Sequence, residues 1–353
     1  MRFKRGLVVG KFCPLHDGHR LLIDTARAAC DEVVILSYAK PGFEGYEASK
    51  RAAWLEALYP DAIRLVVDDA WLISEVQKIR DMPYKATPHD DAPEIEHRRF
   101  CAWLCEHYLG GAVQAVFTSE AYGDGFAAAL TVEFRKADAG MPDVAHICVD
   151  AAREQVPVSG TMLRADLYKY RAHMPANVYT SLIKRVALLG GESTGKSTLA
   201  KALAQNLNTE YVCEYGRDLW AAKNGNLVFE DYLHIAQTQI SWEEDAALKA
   251  DTFLVCDTTP LTTMFYSDAY CGRVDPVLIQ LANRHYDYVF LCGADFEFVQ
   301  DGWRADEAFR MRQQIWYRER LAEAGVPYHT LNGSVSERIA KAISVLTNEP
   351  VGA

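Results

Sequence analysis

Short apolar runs alternate along this chain with longer stretches whose apolar positions recur every three to four residues, a pattern that predicts strand and helix in turn. In the first half, Gly6–Val9, Glu32–Tyr38, Ile63–Val67, Gln114–Thr118 and Val144–Val149 read as strands, and His19–Ala29, Tyr46–Leu58 and Ile95–Tyr108 as helices. The opening strand, helix and strand make a βαβ unit, and a connection of that length implies parallel strands. Met82–Pro93, rich in Pro, Asp, Thr and His, and Ser119–Gly125 read as loops. Asp166–Lys184 reads as helical with a break at Pro175, and a domain junction is expected there, giving domains 1–180 and 181–353. The second half repeats the alternation. Its expected strands are Arg185–Leu189, Glu210–Cys213, Phe253–Cys256, Tyr288–Leu291 and Tyr328–Leu331, and its helices Lys196–Leu207, Tyr232–Leu248, Asp306–Ala324 and Val335–Leu346. Both halves are therefore α/β, with no internal repeat and no low-complexity tract.

A length of 353 residues suits two such cores better than one. The formal net charge of -11 disfavours non-specific binding to nucleic acid or membranes, but leaves room for a local anion site built from backbone N–H groups and a few cations. No apolar run approaches the roughly 20 residues of a membrane span. The start of the chain is basic, yet a glycine-bearing motif follows at Gly10, so no cleavable signal segment is expected. The nine cysteines are scattered and form no Cys-x-x-Cys, which fits a reduced, cytoplasmic chain.

Two motifs carry the chemistry. Gly190-Gly191-Glu192-Ser193-Thr194-Gly195-Lys196-Ser197 matches the phosphate-binding loop Gly-x-x-x-x-Gly-Lys-Ser, between the apolar run Val186–Leu189 and the helix opened by Thr198. Its N–H groups are expected to cradle the β-phosphate of ATP, with Lys196 on the β- and γ-phosphates and the Ser197 hydroxyl on Mg²⁺. Asp257 ends the strand Phe253–Cys256 at the edge where α/β sheets bind ligands. There it accepts a proton from a substrate hydroxyl, holds Mg²⁺ through water, or merely caps a helix. Glu214-Tyr215-Gly216-Arg217 also follows a short strand; Tyr215 and Arg217 clamp a small polar aromatic substrate, or belong to a surface loop. Asp301-Gly302-Trp303-Arg304 precedes a helix bearing Arg310 and Arg312, and reads as an Arg-bearing lid or as a solvated basic face.

The other motif is Gly10-Lys11-Phe12-Cys13-Pro14-Leu15-His16-Asp17-Gly18-His19. Two imidazoles beside a helix N-terminus suit a phosphate that gains charge in a transition state, as in nucleotidyl transfer. The spacing His-x-x-His also occurs in metal sites, but no third ligand lies at zinc spacing. Val158-Ser159-Gly160-Thr161-Met162-Leu163-Arg164 places two hydroxyls and an Arg at a helix start, a second anion site when paired with the first motif.

These motifs, in this order, resemble the bifunctional nicotinamide-nucleotide adenylyltransferases and ribosylnicotinamide kinases of the NadR type, over nearly the whole chain. The resemblance implies a Rossmann-like nucleotidyltransferase domain followed by a P-loop kinase domain, both with parallel sheets. It places His16 and His19 on ATP phosphates with Gly10, Lys11 and Phe12 around them, Ser159, Thr161 and Arg164 in the matching second signature, and Ser119, in Phe117–Glu120, near the adenosine. In the second domain Asp257 becomes the base for the 5′-hydroxyl of nicotinamide riboside, with Tyr215 and Arg217 near that substrate. The implied ligands are ATP, nicotinamide riboside, NMN, NAD and Mg²⁺; assembly as a homo-oligomer is left open.

Three departures stand out. The first strand begins within about ten residues of Met1, so the helix-turn-helix of repressor members is not expected, nor is DNA binding. Thr258-Thr259 follows Asp257 where the family often has Thr-Asp. Trp71–Pro93 matches the family poorly. Two other readings stay open: the same reactions on another nucleoside, and a nucleotide sensor with one degenerate domain.

Overall fold

The computed structural model describes residues 2–76, 84, 86–295 and 306–347. The chain divides into two compact units, Met1–Tyr179 and Thr180–Ala353.

The first unit is a five-stranded parallel sheet of β1 (Phe3–Val9), β2 (Cys30–Ser37), β3 (Ile63–Val66), β4 (Ala115–Thr118) and β5 (Ala145–Cys148), ordered β3-β2-β1-β4-β5. Leu7 pairs in register with Val34 on one side and Val116 on the other, all three fully buried. Helices α1 (Asp17–Ala29), α2 (Ala48–Leu58), α3 (Asp69–Val76), α4 (Glu94–Trp103) and α5 (Gly123–Ala137) cover the sheet, and a turn of π-helix, Leu104–Tyr108, extends α4. Strand order reverses between β1 and β4, and at such a switch point the loops leaving the two strands part to form a crevice. Short helices α6 (Gly160–Ala165) and α7 (Ala176–Thr180) close the unit.

Asp166–Lys184 is not the broken helix that its composition predicts. Asp166 leaves helical geometry and its carboxylate accepts the Lys169 N–H at 2.9 Å, so a side-chain turn competes with the helix; one 3₁₀ turn, Arg171–His173, and α7 are all that is helical there.

The second unit holds β6 (Lys184–Leu189), β7 (Glu210–Val212), β8 (Phe253–Cys256), β9 (Tyr288–Cys292) and β10 (His329–Leu331), all parallel and ordered β10-β9-β6-β8-β7. Both faces of β6 are buried. Val186 and Leu188 pack with Leu199, Leu203 and Ala342 on one side, Ala187 and Leu189 with Tyr317 and Leu321 on the other. Burial on both faces is why this strand reads as an unbroken apolar run. The helices are α8 (Lys196–Leu207), α9 (Tyr215–Ala222), α10 (Phe229–Ala247), α11 (Pro260–Cys271), α12 (Pro276–Ala282), α13 (Glu307–Glu323) and α14 (Val335–Thr347). Among the described residues no helix is long and apolar enough to cross a membrane.

Candidate active sites

In the first unit, β1 delivers Gly10 to the switch point and the chain turns into α1. His16 is the N-cap of α1, and its Nδ1 accepts the Gly18 N–H at 3.1 Å; Nδ1 of His19 accepts the His16 N–H at 3.4 Å. With each Nδ1 an acceptor, each ring proton sits on Nε2. Burial, reinforced by Arg153, His173 and Arg164, lowers the His16 pKa to about 4. Burial, His16 and Arg153 hold His19 well below its ordinary value. Both rings are therefore neutral N–H donors, suited to hydrogen-bond a phosphate without competing for its proton.

A cleft of about 530 Å³ opens beside them, lined by Gly10, Lys11, Phe12, His19, Ser119, Ser159, Thr161 and Arg164. Motifs some 140 residues apart in sequence are thus brought to one wall; His16 lies behind it, against His19. Ser159 caps α6, accepting the Met162 N–H at 3.3 Å. Arg164 donates to the Cys13 carbonyl and, at 3.2 Å, to Thr161, while its guanidinium lies over the Phe43 ring at 4.3 Å. Lys11 pairs with Asp90 at 2.6 Å.

Sequence reasoning missed two parts of this site. Arg153 lines the cleft and bears on both imidazoles. It sits at φ 54 in a turn nucleated by Asp150, whose carboxylate accepts the N–H groups of Glu154, Gln155 and Val156; an Arg six residues before Ser159 was the available signal. The other is a hydrogen-bonded chain at the end of β4: Asp124 to His146 Nδ1 at 2.7 Å, His146 Nε2 to Thr118 at 2.8 Å, and Thr118 to the Glu120 carbonyl at 3.1 Å. It supports the turn that carries Ser119.

In the second unit, β6 runs into the loop Gly190–Ser197. Gly195 is left-handed (φ 78), and Gly191 passes so close to α13 that a Cβ would fall 2.7 Å from the Arg310 carbonyl oxygen. Side chains hold the loop from outside. Gln314 and Gln313 accept the N–H groups of Gly191 and Glu192 at 2.9 and 3.0 Å. Buried Arg338 donates to the carbonyls of Thr194 (2.7 Å), Gly293 (3.1 Å) and Gly333 (3.0 Å) and pairs with Asp295. Lys196 rests on the carbonyls of Gly190 and Gly191 at 2.9 and 3.0 Å.

Asp257, at the end of β8, is 3% exposed; burial raises its pKa, against a hydrogen bond from Ser197 and the charges of Lys196 and Arg217. Its Oδ1 has no hydrogen-bond partner among the described residues. An orphaned carboxylate oxygen beside the loop hydroxyl fits Mg²⁺, which keeps several waters and takes one or two protein oxygens. Ser197 and Asp257 are the residues that would hold it. Among the described residues no three His, Cys, Asp or Glu side chains group as an all-protein metal cage.

Glu214, between β7 and α9, pairs with Arg217 at 3.1 Å. Buried Gln239 fixes this corner, accepting the Tyr215 N–H at 3.0 Å and donating to the Cys213 carbonyl at 3.1 Å. The Tyr215 ring meets Trp242 edge-on at 5.0 Å, and its hydroxyl lies 3.1 Å from His234 Nε2. Thr259 caps α11, accepting the Leu261 N–H at 3.2 Å, so the residue that departs from the family pattern does structural work an Asp would also do. Asp301 and Arg304 lie outside the described residues.

Fold and sites together define a protein of two α/β units, each built on a five-stranded parallel sheet, the second carrying a P-loop. Residues 185–338 match the family described as AAA domain. Over 319 residues the chain is 28% identical to the trifunctional NAD biosynthesis/regulator protein NadR of Escherichia coli, covering 85% of this chain and 71% of that one. The Salmonella typhimurium protein of the same name matches at 28% over 313 residues, with the same coverage. Two crystal structures of NadR, one in complex with NR and one with NAD and AMP-PNP, superpose with TM-scores of 0.59 and 0.60, at 18% identity, over 99% of this chain and 98% of theirs. This chain is similar to NadR over most of its length.

Proposed function

We propose that this protein makes NAD in two steps. The second unit transfers the γ-phosphoryl group of ATP to the 5′-hydroxyl of nicotinamide riboside, giving NMN and ADP. The first unit then lets the NMN phosphate attack the α-phosphorus of a second ATP, giving NAD and pyrophosphate, with Mg²⁺ serving both reactions. The observation that carries the reading is the presence, on one chain, of an imidazole pair with His19 on the wall of a nucleotide-sized cleft and His16 behind it, and of a P-loop with a buried carboxylate beside its serine.

The roles follow from the chemistry. His19, oriented by His16, donates Nε2–H to the ATP phosphates, and Arg164 and Arg153 offset the charge that develops on the departing pyrophosphate. No side-chain base is needed there, because the nucleophile is already an anion. In the second unit a hydroxyl must be deprotonated, and Asp257, with its raised pKa, takes that proton. Lys196 and the loop N–H groups hold the phosphates. All nine cysteines are free thiols, which supports a cytoplasmic setting. Incubation with nicotinamide riboside, ATP and Mg²⁺ is expected to show NMN rising first and NAD following; folded protein that forms no NAD overturns the proposal.

A further inference from the structure

A carboxylate inside a loop that binds polyphosphate is an electrostatic liability, and Glu192 is one. Its side chain is turned toward α11, where its Oε1 accepts the Tyr266 hydroxyl at 3.1 Å. There it joins two more acids. Glu214 lies two residues past β7 and Asp257 one residue past the adjacent β8, both at the carboxyl edge of the sheet. Glu192 and Asp257 lie near enough to Glu214 to add to the upward pull that burial exerts on its pKa, against Lys196 and Arg217. Of the two opposing cations, Lys196 belongs to the phosphates of ATP and Arg217 is already paired with Glu214. The Oδ1 of Asp257 is buried and has no hydrogen-bond partner among the described residues.

Aromatic faces accompany this acid wall. Tyr266 stacks with Tyr270 (ring centroids 6.1 Å, 6°) and with Phe309 (6.2 Å, 20°) beside Glu192. Carboxylates with aromatic faces form the recognition chemistry of an organic cation, whereas a neutral sugar hydroxyl needs only one acceptor. The nucleoside named in the proposed function carries a pyridinium ring.

We infer that Glu192, with Glu214, makes the second unit select nucleosides whose base bears a positive charge. The inference rests on the reading of this unit as a ribosylnicotinamide kinase, and it adds the property by which the acceptor is chosen. Glu192 then serves two ends of one reaction: its backbone belongs to the ATP loop, and its side chain attracts the acceptor.

The test compares nicotinamide riboside with its neutral 1,4-dihydro form, nearly identical in shape. Equilibrium binding of each is measured by calorimetry, and phosphorylation of each in the presence of Mg-ATP, for the wild type and for Glu192→Gln and Glu214→Gln. The wild type is expected to favour the cation by about tenfold or more, and Glu192→Gln to bring the ratio near unity by weakening the cation alone. Equal binding of the two forms by the wild type, or a parallel loss of both in folded Glu192→Gln, overturns the inference. Should Glu192→Gln fail to fold, the Glu214→Gln ratio decides in the same way. Failure of the kinase reading shows separately: neither form is phosphorylated, while the binding ratio still supports or refutes charge selection.

Discussion

The rings of His16 and His19 lie 3.8 Å apart between centroids, tilted by 31°, and each Nδ1 accepts a backbone N–H at the start of α1. A charge on either ring would break one of those bonds and repel the other ring. Nitrogen NMR of the histidines is therefore expected to show both as neutral Nε2–H tautomers at pH 6, where free imidazole is largely protonated. The linkage has a definite sign. With the folded pKa of His16 at about 4, below its value of 6.5 in the unfolded chain, its contribution to stability is complete above pH 6.5 and is lost as pH falls toward 4. The loss amounts to about 3 kcal/mol across that window and is read by denaturant unfolding at several pH values.

Arg153 is predicted to matter to adenylyl transfer although no motif contains it. Its charge faces the imidazole pair from the Asp150 turn. Arg153→Ala is expected to lower kcat for NAD formation from supplied NMN by about 100- to 1,000-fold, the cost of losing one donor aimed at developing charge. Phosphorylation of nicotinamide riboside should be unchanged.

If each unit carries its own reaction, as proposed, single changes should separate the two. Lys196→Ala is expected to abolish formation of NMN while leaving conversion of supplied NMN to NAD. His19→Ala should do the reverse. Loss of both reactions from either change, in protein whose circular dichroism is intact, contradicts the two-site assignment.

Thr259 is 2% exposed and caps α11 immediately after Asp257. Thr259→Ala should cost about 1 kcal/mol of stability, measured as a shift in denaturant midpoint, through the orphaned Leu261 N–H. Thr259→Ser should restore most of it.

The hydrophobic pattern located Phe253–Cys256 and Lys196–Leu207 to the residue, because a strand buried on both faces and a helix opened by a P-loop each have a strong local signature. Helix α11 escaped notice because its buried face includes Thr262, Thr263 and Ser267, which erase the apolar period. Its signal lay in Thr259-Pro260, a cap followed by proline at the first helical position, and Asp275-Pro276 announces α12 in the same way. Helix α5 was hidden by Gly123 and Gly125 in its first turn. The phosphate loops were legible because their chemistry is contiguous. Arg153, His146 and Gln239 were not, because each acts on residues brought close only by the fold.

The chain from Asp124 through His146 and Thr118 to the Glu120 carbonyl contains three hydrogen bonds. Thr118 is the member that joins the two halves of this chain, so removing its one hydroxyl, as in Thr118→Val, unties the turn bearing Ser119 from His146 and Asp124 together.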